Sequence, residues 1–367
     1  MLKRYLQIAI LFGLIFTTAR CTQNGAESPT ETETAHSETD NQHEEHDDLD
    51  HGEDMLTLPH LEPINRNDGQ LKVVATTSII GDVVAQVGRD AIALTTLIEP
   101  GQDPHSFEPA AQDLTAVSQA DLIIVNGWGL EEALIHDLEE ISEGAPVIPI
   151  SANITPLIFG ANAEHEGHEN ETHNDNDEKE DGHAHKGPDP HVWMNIDNVK
   201  QWVNNTQQLL TQLDPANEVT YEQNAAAYLA ELDTLAEYAH TQLNPIPAEK
   251  RFFVTNHDAF AYFGDAYNFT ILGTVIPGIS TMAEPSAIDL AELITEMEHH
   301  NICTIFTETT VSDSLAQTVA AELNNCDQVT IAKLYSGAIG TTDSDTNSYL
   351  KMMRVNIDTI ANSLADQ

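Results

Sequence analysis

The stretch that sets the fold class is LKVVATTSIIGDVVAQVGRDA, residues 71–91. Its first half is rich in β-branched residues and predicts a buried strand. Its second half has the apolar spacing of an amphipathic helix. A strand that passes directly into a helix is typical of α/β folds, in which helices connect parallel strands.

The same alternation continues along the chain in two blocks. The first block, residues 71–213, repeats short apolar strands and amphipathic helices, and the second block does so over residues 245–367. Between them, within residues 214–244, runs a helical pattern of about 26 residues, or roughly 39 Å at 1.5 Å per residue. We therefore predict two α/β lobes with mainly parallel sheets, joined by one long helix.

The N-terminus, residues 1–21, has the features of a secretory signal, with Lys3 and Arg4 ahead of a short apolar run. Cys21 could be the lipidated first residue of a bacterial lipoprotein. Arg20 argues against this, because a small residue normally precedes such a cysteine, so plain export stays an alternative. No later segment has the 18 or so consecutive apolar residues of a membrane span.

The charge balance is extreme, with 14 Lys and Arg against 60 Asp and Glu, for a formal net charge of -46. Such a chain is repelled by phosphate backbones, which argues against nucleic acid as a partner, and it attracts cations. Residues 22–70 hold fourteen acids and one arginine. We expect this segment to be a disordered, His-rich acidic tether.

A second polar tract, residues 161–187, interrupts the first block and carries nine acids. We expect a disordered insertion, since it has almost no apolar residues to bury. Its histidines and carboxylates suit weak zinc binding, although a solvated linker is the alternative. These auxiliary histidines are His165, His168, His173, His183 and His185.

Three further histidines lie outside the polar tracts, each where a strand or loop gives way to a helix. His105 and His191 end the two Asp-Pro-His strings, and His257 follows the strand-like FFVT. Ligands of open α/β sheets bind beyond the carboxyl ends of the strands. Three imidazoles there would form a zinc site, whereas a single one would more often cap a helix or stabilise a turn.

The remaining cysteines, Cys303 and Cys326, both lie near the starts of predicted strands. An exported protein permits a disulfide between them, and two buried free thiols are the alternative. The sequence contains no GxSxG, Walker, strand-linked GxGxxG, CxxC or HExxH motif.

Five strings, in this order, resemble the zinc-binding proteins of bacterial ABC uptake systems, the ZnuA-type members of the zinc and manganese solute-binding family. They cover about residues 71–365. The strings are PGQDPHSFEPAAQDL, DPHVWMN after an acidic histidine insertion, FFVTNHDAFAYFGDAY, AEPSAIDLAELI and SYLKMMRVNIDTIA.

The resemblance implies a metal site in the cleft between the lobes, with His105 and His191 from the first lobe and His257 from the second. It implies that Zn²⁺ is the transported ligand, since manganese members more often have Glu at the third position. It further implies no enzymatic activity, a monomer, and a membrane permease with a cytoplasmic ATPase as partners. The protein would be extracytoplasmic, periplasmic or lipid-anchored.

The resemblance also implies a fourth ligand, since many members have an aspartate there, but the matching position in this sequence is Gly337. Water, a histidine of the insertion or Glu308 could take that place. A Mn²⁺ or Fe²⁺ binder of the same family is the first alternative function. A secreted zinc hydrolase, with Asp103 or Glu108 as general base, and a surface adhesin are the others.

Overall fold

The first sheet contains four parallel strands in the order β2-β1-β3-β4. The computed structural model describes residues 55–64, 69–159 and 187–365. Val73, in the middle of β1, pairs with Leu94 on one side and with Leu122 on the other. The strands are β1 (Leu71–Ala75), β2 (Ile92–Thr96), β3 (Leu122–Val125) and β4 (Val147–Pro149).

Helices cover this sheet and bury their apolar stripes against it. The first begins where the Thr77 side chain accepts a hydrogen bond from the backbone N–H of Ile80, which is a typical N-cap. Val83, Val84 and Val87 on that helix are completely buried. The helices of this lobe are α1 (Ser78–Gly88), α2 (Ala111–Ser118), α3 (Glu132–Ile141) and α4 (Ile196–Leu213).

The second sheet repeats the arrangement of the first, with four parallel strands in the order β6-β5-β7-β8. Its strands are β5 (Phe252–Thr255), β6 (Thr270–Thr274), β7 (Thr304–Glu308) and β8 (Thr330–Leu334). Its helices are α6 (Ala261–Tyr267), α7 (Ala287–His300), α8 (Ser314–Glu322) and α9 (Tyr349–Ala365). Two lobes with parallel sheets confirm the predicted fold class.

One long helix, α5 (Glu218–Leu243, 26 residues), packs against both lobes. Its Asn224 side chain donates to the Val87 carbonyl of α1 over 2.9 Å, and its Tyr238 hydroxyl donates to Asp358 of α9. Contacts of one rigid helix with both lobes restrict how far the lobes can move relative to each other.

Residues 55–64 correct the prediction that the whole of 22–70 is disordered. This segment, the N-terminal strap, lies against the first lobe. The Leu61 and Ile64 N–H groups donate to the Gln212 side chain over 2.7 Å and the Leu213 carbonyl over 2.9 Å. Leu58 packs with Leu61 and Ile64 against the core. Acidic residues dominate the composition of residues 22–70, so composition alone does not reveal that these few apolar residues are buried.

The structure joins Cys303 and Cys326 in a disulfide, with the two Cα atoms 5.8 Å apart. Among the described residues, none of the helices combines the length and apolar character of a membrane span. The predicted signal with Cys21, the tether up to residue 54 and the five histidines of the insertion lie outside the described residues.

Candidate metal centre

The three predicted histidines come together at the carboxyl edges of the two sheets. His105 lies in a short 3₁₀ turn, Pro104–Ser106, that follows β2, and His191 immediately precedes another, Val192–Met194. His257 follows β5 of the second lobe. The cluster therefore lies between the lobes, in the position where α/β sheets bind ligands.

The Nε2 atoms of the three rings converge. His191 Nε2 is 3.2 Å from His105 Nε2 and 3.2 Å from His257 Nε2. One nitrogen from each ring lies within 4.8 Å of the others. Tetrahedral zinc with Zn–N bonds of 2.0–2.1 Å requires nitrogens about 3.3 Å apart. Two of the three separations are therefore close to the value for a single zinc ion, and the third lies within the 4.8 Å limit.

The two Asp-Pro-His strings fold in the same way. In each, the aspartate Oδ1 accepts the N–H of the histidine two residues later, over 3.0 Å for Asp103 and His105 and 2.9 Å for Asp189 and His191. Such an Asx-type turn, with a proline between, fixes the direction in which the imidazole leaves the backbone. The Asp103 Oδ2 also accepts from the Thr281 hydroxyl of the second lobe over 2.6 Å.

Buried carboxylates contact the outer nitrogens of two rings. Asp189 Oδ1 is 2.8 Å from His191 Nδ1, and Glu308 Oε1 is 2.7 Å from His257 Nδ1. Glu308 Oε1 also accepts the His257 N–H over 3.1 Å, and its Oε2 accepts from the Ser336 hydroxyl. These contacts orient each ring so that its Nε2 faces the other histidines.

Burial favours the neutral, metal-binding form of two histidines. Burial, together with the neighbouring rings of His191 and His257, lowers the pKa of His105 to about 3. Burial likewise holds the pKa of His191 well below its ordinary value, with a further decrease from His257. Both rings therefore offer an unprotonated nitrogen near neutral pH.

His257 and Glu308 form the charged pair of the site. Burial opposes the charge on His257, but the Glu308 carboxylate offsets this and raises the pKa of the ring. Burial likewise disfavours the charged form of Glu308. The interactions with His257 outweigh this effect, so the pKa of Glu308 is lowered. Asp189 differs, since burial raises its pKa to about 7. A metal at the Nε2 atoms would therefore displace a proton from His257.

The site opens on the His105 side. His191 and His257 are only 1% and 2% exposed, whereas His105 is half-buried. Gly337 lies beside it, and a Cβ there would meet Pro104 Cδ at 2.7 Å. A side chain at position 337 therefore does not fit beside Pro104, and Glu308, with both oxygens engaged, is not placed as a fourth ligand.

The sequence predicted the three rings but not the groups that hold them. Asp189 and Asp103 could have been recognised, because an aspartate before Pro-His can accept the histidine N–H two residues later. The sequence suggests Glu308 as a possible fourth ligand rather than as a partner of His257, and it contains no signal for Ser336. Its partner, Glu308, lies 28 residues earlier in the chain, at the end of β7.

Comparison with known families gives an independent line of evidence. The family described as zinc-uptake complex component A, periplasmic (ZnuA), matches residues 73–363. A manganese-binding lipoprotein, MntA of Halalkalibacterium halodurans, is 33% identical over 300 residues, which are 81% of this chain and 90% of that protein. The manganese ABC transporter substrate-binding lipoprotein PsaA of Streptococcus pneumoniae is 32% identical over 305 residues, 81% and 90% of the two chains.

Solved structures resemble the whole two-lobed part of the chain. The periplasmic zinc-binding protein TroA from Treponema pallidum superposes with a TM-score of 0.68 at 28% identity, covering 81% of this chain and 99% of that one. A manganese-bound periplasmic metal-binding protein from Candidatus Liberibacter asiaticus has a TM-score of 0.67 at 28% identity, covering 81% of this chain and 100% of that one.

Proposed function

The chain belongs to the ZnuA family of zinc-uptake components, and we propose that it captures Zn²⁺ outside the cytoplasm and delivers it to an ABC transporter permease. The observation that carries the choice of zinc is the convergence of three imidazole nitrogens within 4.8 Å. Imidazole donors suit zinc, whereas Mn²⁺ prefers oxygen.

Capture rests on a cleft that is already closed by contacts between the lobes. Trp193 of the first lobe donates from Nε1 to the Ser336 carbonyl over 2.7 Å, and the Tyr349 hydroxyl donates to the Trp193 carbonyl over 2.7 Å. The Gly101 N–H donates to the Ile339 carbonyl over 3.1 Å. A site held in this way needs only local adjustment at His105 to admit an ion.

The supporting carboxylates set which nitrogen binds the metal. When Nδ1–H of His191 or His257 donates to Asp189 or Glu308, the Nε2 lone pair is left for the ion. Zinc accepts three protein ligands with water in the fourth position. We propose that water completes the site, since position 337 lacks a side chain.

A manganese binder of the same family is the main alternative. Its support is that MntA and PsaA are named for manganese, and that the Liberibacter protein is a manganese-bound structure. The donor set argues the other way, because among the described residues no carboxylate oxygen joins the three imidazole nitrogens that lie within 4.8 Å of one another. We apply the same argument to Fe²⁺.

We propose no enzymatic role. The candidates for a general base in a zinc hydrolase were Asp103 and Glu108. Asp103 has both oxygens engaged by His105 and Thr281, and Glu108 is exposed to solvent. The family is a transport component, and we infer a monomer working with a permease and its ATPase.

The segments outside the two lobes bear on where the protein is located and on how zinc reaches the central site. MntA and PsaA are named as lipoproteins, which supports an extracytoplasmic protein, and lipidation at Cys21 is part of the proposal. We propose that the His-rich tracts collect Zn²⁺ weakly. The second tract begins after Phe159, whose N–H donates to the Gly187 carbonyl over 2.9 Å. Gly187, where the tract ends, is only four residues before His191.

Trp193 offers a direct assay for the central site, since its ring centroid lies 5.3 Å from that of His191. We expect tryptophan fluorescence in metal-buffered solution to respond to Zn²⁺ at lower free concentration than to Mn²⁺. His105→Ala, His191→Ala and His257→Ala should each shift the zinc response by more than roughly tenfold. His136→Ala, at an exposed position on α3, should leave it unchanged. A tighter manganese response would refute zinc as the cargo.

A further inference from the structure

A second group of metal-ligand side chains lies on the surface of α7. Glu296, His299 and His300, the α7 triad, are all exposed, and one ligand atom from each lies within 4.8 Å of the others. Glu296 Oε2 is 3.7 Å from His300 Nε2. Positions i, i+3 and i+4 of a helix share one face, so the three side chains converge without any change in the backbone.

The turn that carries the α7 triad is held rigidly. Asn301 ends the helix in the left-handed conformation, with its N–H donating to the Glu298 carbonyl over 3.3 Å and the Ile302 N–H to the Met297 carbonyl over 2.8 Å. From the loop after α8, the Asn324 N–H donates to the Glu298 side chain over 3.0 Å. Asn325 donates to the Glu298 carbonyl over 3.1 Å.

Covalent and ring contacts restrict the same turn further. The disulfide ties Cys303, three residues after His300, to Cys326. The His300 ring packs on the Phe252 ring with centroids 5.2 Å apart, and on the His299 ring at 4.9 Å. Side chains that are already limited in rotamer lose less entropy on binding an ion than free ones do.

Electrostatics favour a cation at this position. The C-terminal end of a helix carries partial negative charge, and Glu296 adds a full one. We propose that the α7 triad is a second, surface site for a borderline divalent metal such as Zn²⁺. Two imidazoles and one carboxylate are a donor set that zinc accepts, with water in the remaining position.

The α7 triad is separate from the central site. It lies where α7 leads into the amino end of β7, whereas Glu308, which supports His257, is the last residue of that strand. The two sites are therefore at opposite edges of the second sheet. Occupation of the α7 triad does not depend on the three central histidines.

Residue-resolved histidine modification tests the proposal. The full-length protein would be treated with diethylpyrocarbonate at a series of chelator-buffered free Zn²⁺ concentrations, and the peptide with His299 and His300 would be followed by mass spectrometry. Buffered free zinc makes the result independent of zinc held elsewhere. We expect zinc to protect both histidines, while His136, exposed on α3, stays reactive.

Variants separate a metal site from a plain ion pair. Glu296→Gln should raise the free zinc needed for half-protection at least about tenfold, a change of about 1.4 kcal/mol. His300→Ala should abolish zinc protection of His299. Glu292→Gln removes the same charge one helical turn earlier and should have no effect. Absence of protection up to millimolar free zinc, or equal protection in wild type and Glu296→Gln, would overturn the proposal.

Discussion

Gly337 lies so close to Pro104 that a Cβ atom on residue 337 would come within 2.7 Å of the Pro104 Cδ and 3.2 Å of its Cγ. The contact crosses the cleft, since Gly337 belongs to the second lobe and Pro104 precedes His105 in the first. The glycine therefore determines how closely the His105 turn approaches the other two rings.

We expect Gly337→Ala to weaken zinc binding, because the added methyl group pushes Pro104 away and His105 with it. Overpacking of this kind costs about 1–3 kcal/mol, or about a 5- to 150-fold change in affinity. The control is Gly187→Ala, where nothing lies within 4 Å of the added Cβ. Calorimetric zinc titration measures both. Equal affinities for the two variants would show that the contact does not position His105.

Glu308→Gln should lower zinc affinity by about 10–100-fold, the usual effect of losing an outer-shell partner of a metal-binding histidine. The amide cannot supply the negative charge that pairs with the His257 ring 2.7 Å away. Ser336→Ala should have a smaller effect, because it removes only the hydrogen bond to the other carboxylate oxygen.

The two variants should also differ in proton release. In the wild type, zinc displaces a proton from His257, whose pKa is raised by Glu308 against the effect of burial. Glu308→Gln should therefore release fewer protons on zinc binding near neutral pH than Ser336→Ala does. Calorimetry in two buffers of different ionisation enthalpy gives the number of protons released for each zinc ion bound. Unchanged proton release in Glu308→Gln would contradict this assignment.

Acidification should destabilise the metal-free protein through His105. Its pKa is about 3 in the folded state, lowered by burial and by the two neighbouring rings from an ordinary value of 6.5. Between these two pH values the unfolded chain binds a proton at His105 that the folded chain does not bind. Protonation therefore favours unfolding, so the full folding stability is present above pH 6.5 and decreases as the pH falls. His191 acts in the same direction, since its pKa is also lowered.

Thermal unfolding of metal-free protein between pH 7 and pH 5 checks the sign. We expect the wild-type Tm to fall across this range and the His105→Asn protein to show a flatter profile, with His136→Asn matching the wild type. His257 works in the opposite sense, because a raised pKa contributes stability that is lost as pH rises. A His105→Asn profile as steep as the wild type would contradict the prediction.

The fold could be predicted because its signals are local. Runs such as residues 71–91 contain their own period of apolar residues, and the period distinguishes strand from helix without knowledge of what packs against them. The three histidines were found for a related reason, since each follows a strand or loop at the edge where α/β sheets bind ligands.

The supporting groups could not be predicted because they depend on distant pairing. Glu308 meets His257 since β5 and β7 are neighbours in the sheet, with Thr255 opposite Phe306. The sequence of neither segment reveals the strand order that makes β5 and β7 neighbours. The Gly337–Pro104 contact likewise joins residues of two lobes, and only the folded chain brings them together.

Reduction or removal of the disulfide should destabilise the second lobe without changing the central site. Cys303 and Cys326 are separated by 23 residues in the sequence, and a loss of about 3 kcal/mol is typical for a loop of this size. They lie before β7 and β8, at the sheet edge away from the three histidines. We expect the Cys303→Ala, Cys326→Ala double variant to lower Tm while Trp193 fluorescence reports unchanged zinc affinity.

The same variant bears on the α7 triad. Loss of the disulfide frees the chain three residues after His300, so zinc protection of His299 and His300 should need more free zinc than in the wild type. If zinc protects His299 and His300 equally in the double variant and in the wild type, the disulfide does not help to organise the surface site.

The N-terminal strap should contribute to stability but not to metal affinity. Leu61 and Ile64 are half-buried on the core beside the end of α4, where their N–H groups donate to Gln212 and Leu213. Truncating both side chains to alanine removes a few buried methyl and methylene groups, at about 0.8 kcal/mol for each CH₂. We expect a lower free energy of unfolding by about 2–3 kcal/mol in urea titrations.

Thr57→Ala is the matched control, since this exposed residue lies in the same strap. Zinc affinity should stay at the wild-type value in both variants, because the contacts of Leu61 and Ile64 lie at the end of α4 rather than at the three histidines. If the Leu61→Ala, Ile64→Ala protein unfolds at the same urea concentration as Thr57→Ala, the strap adds nothing to the fold. A disordered tether up to residue 70 would then describe the protein better.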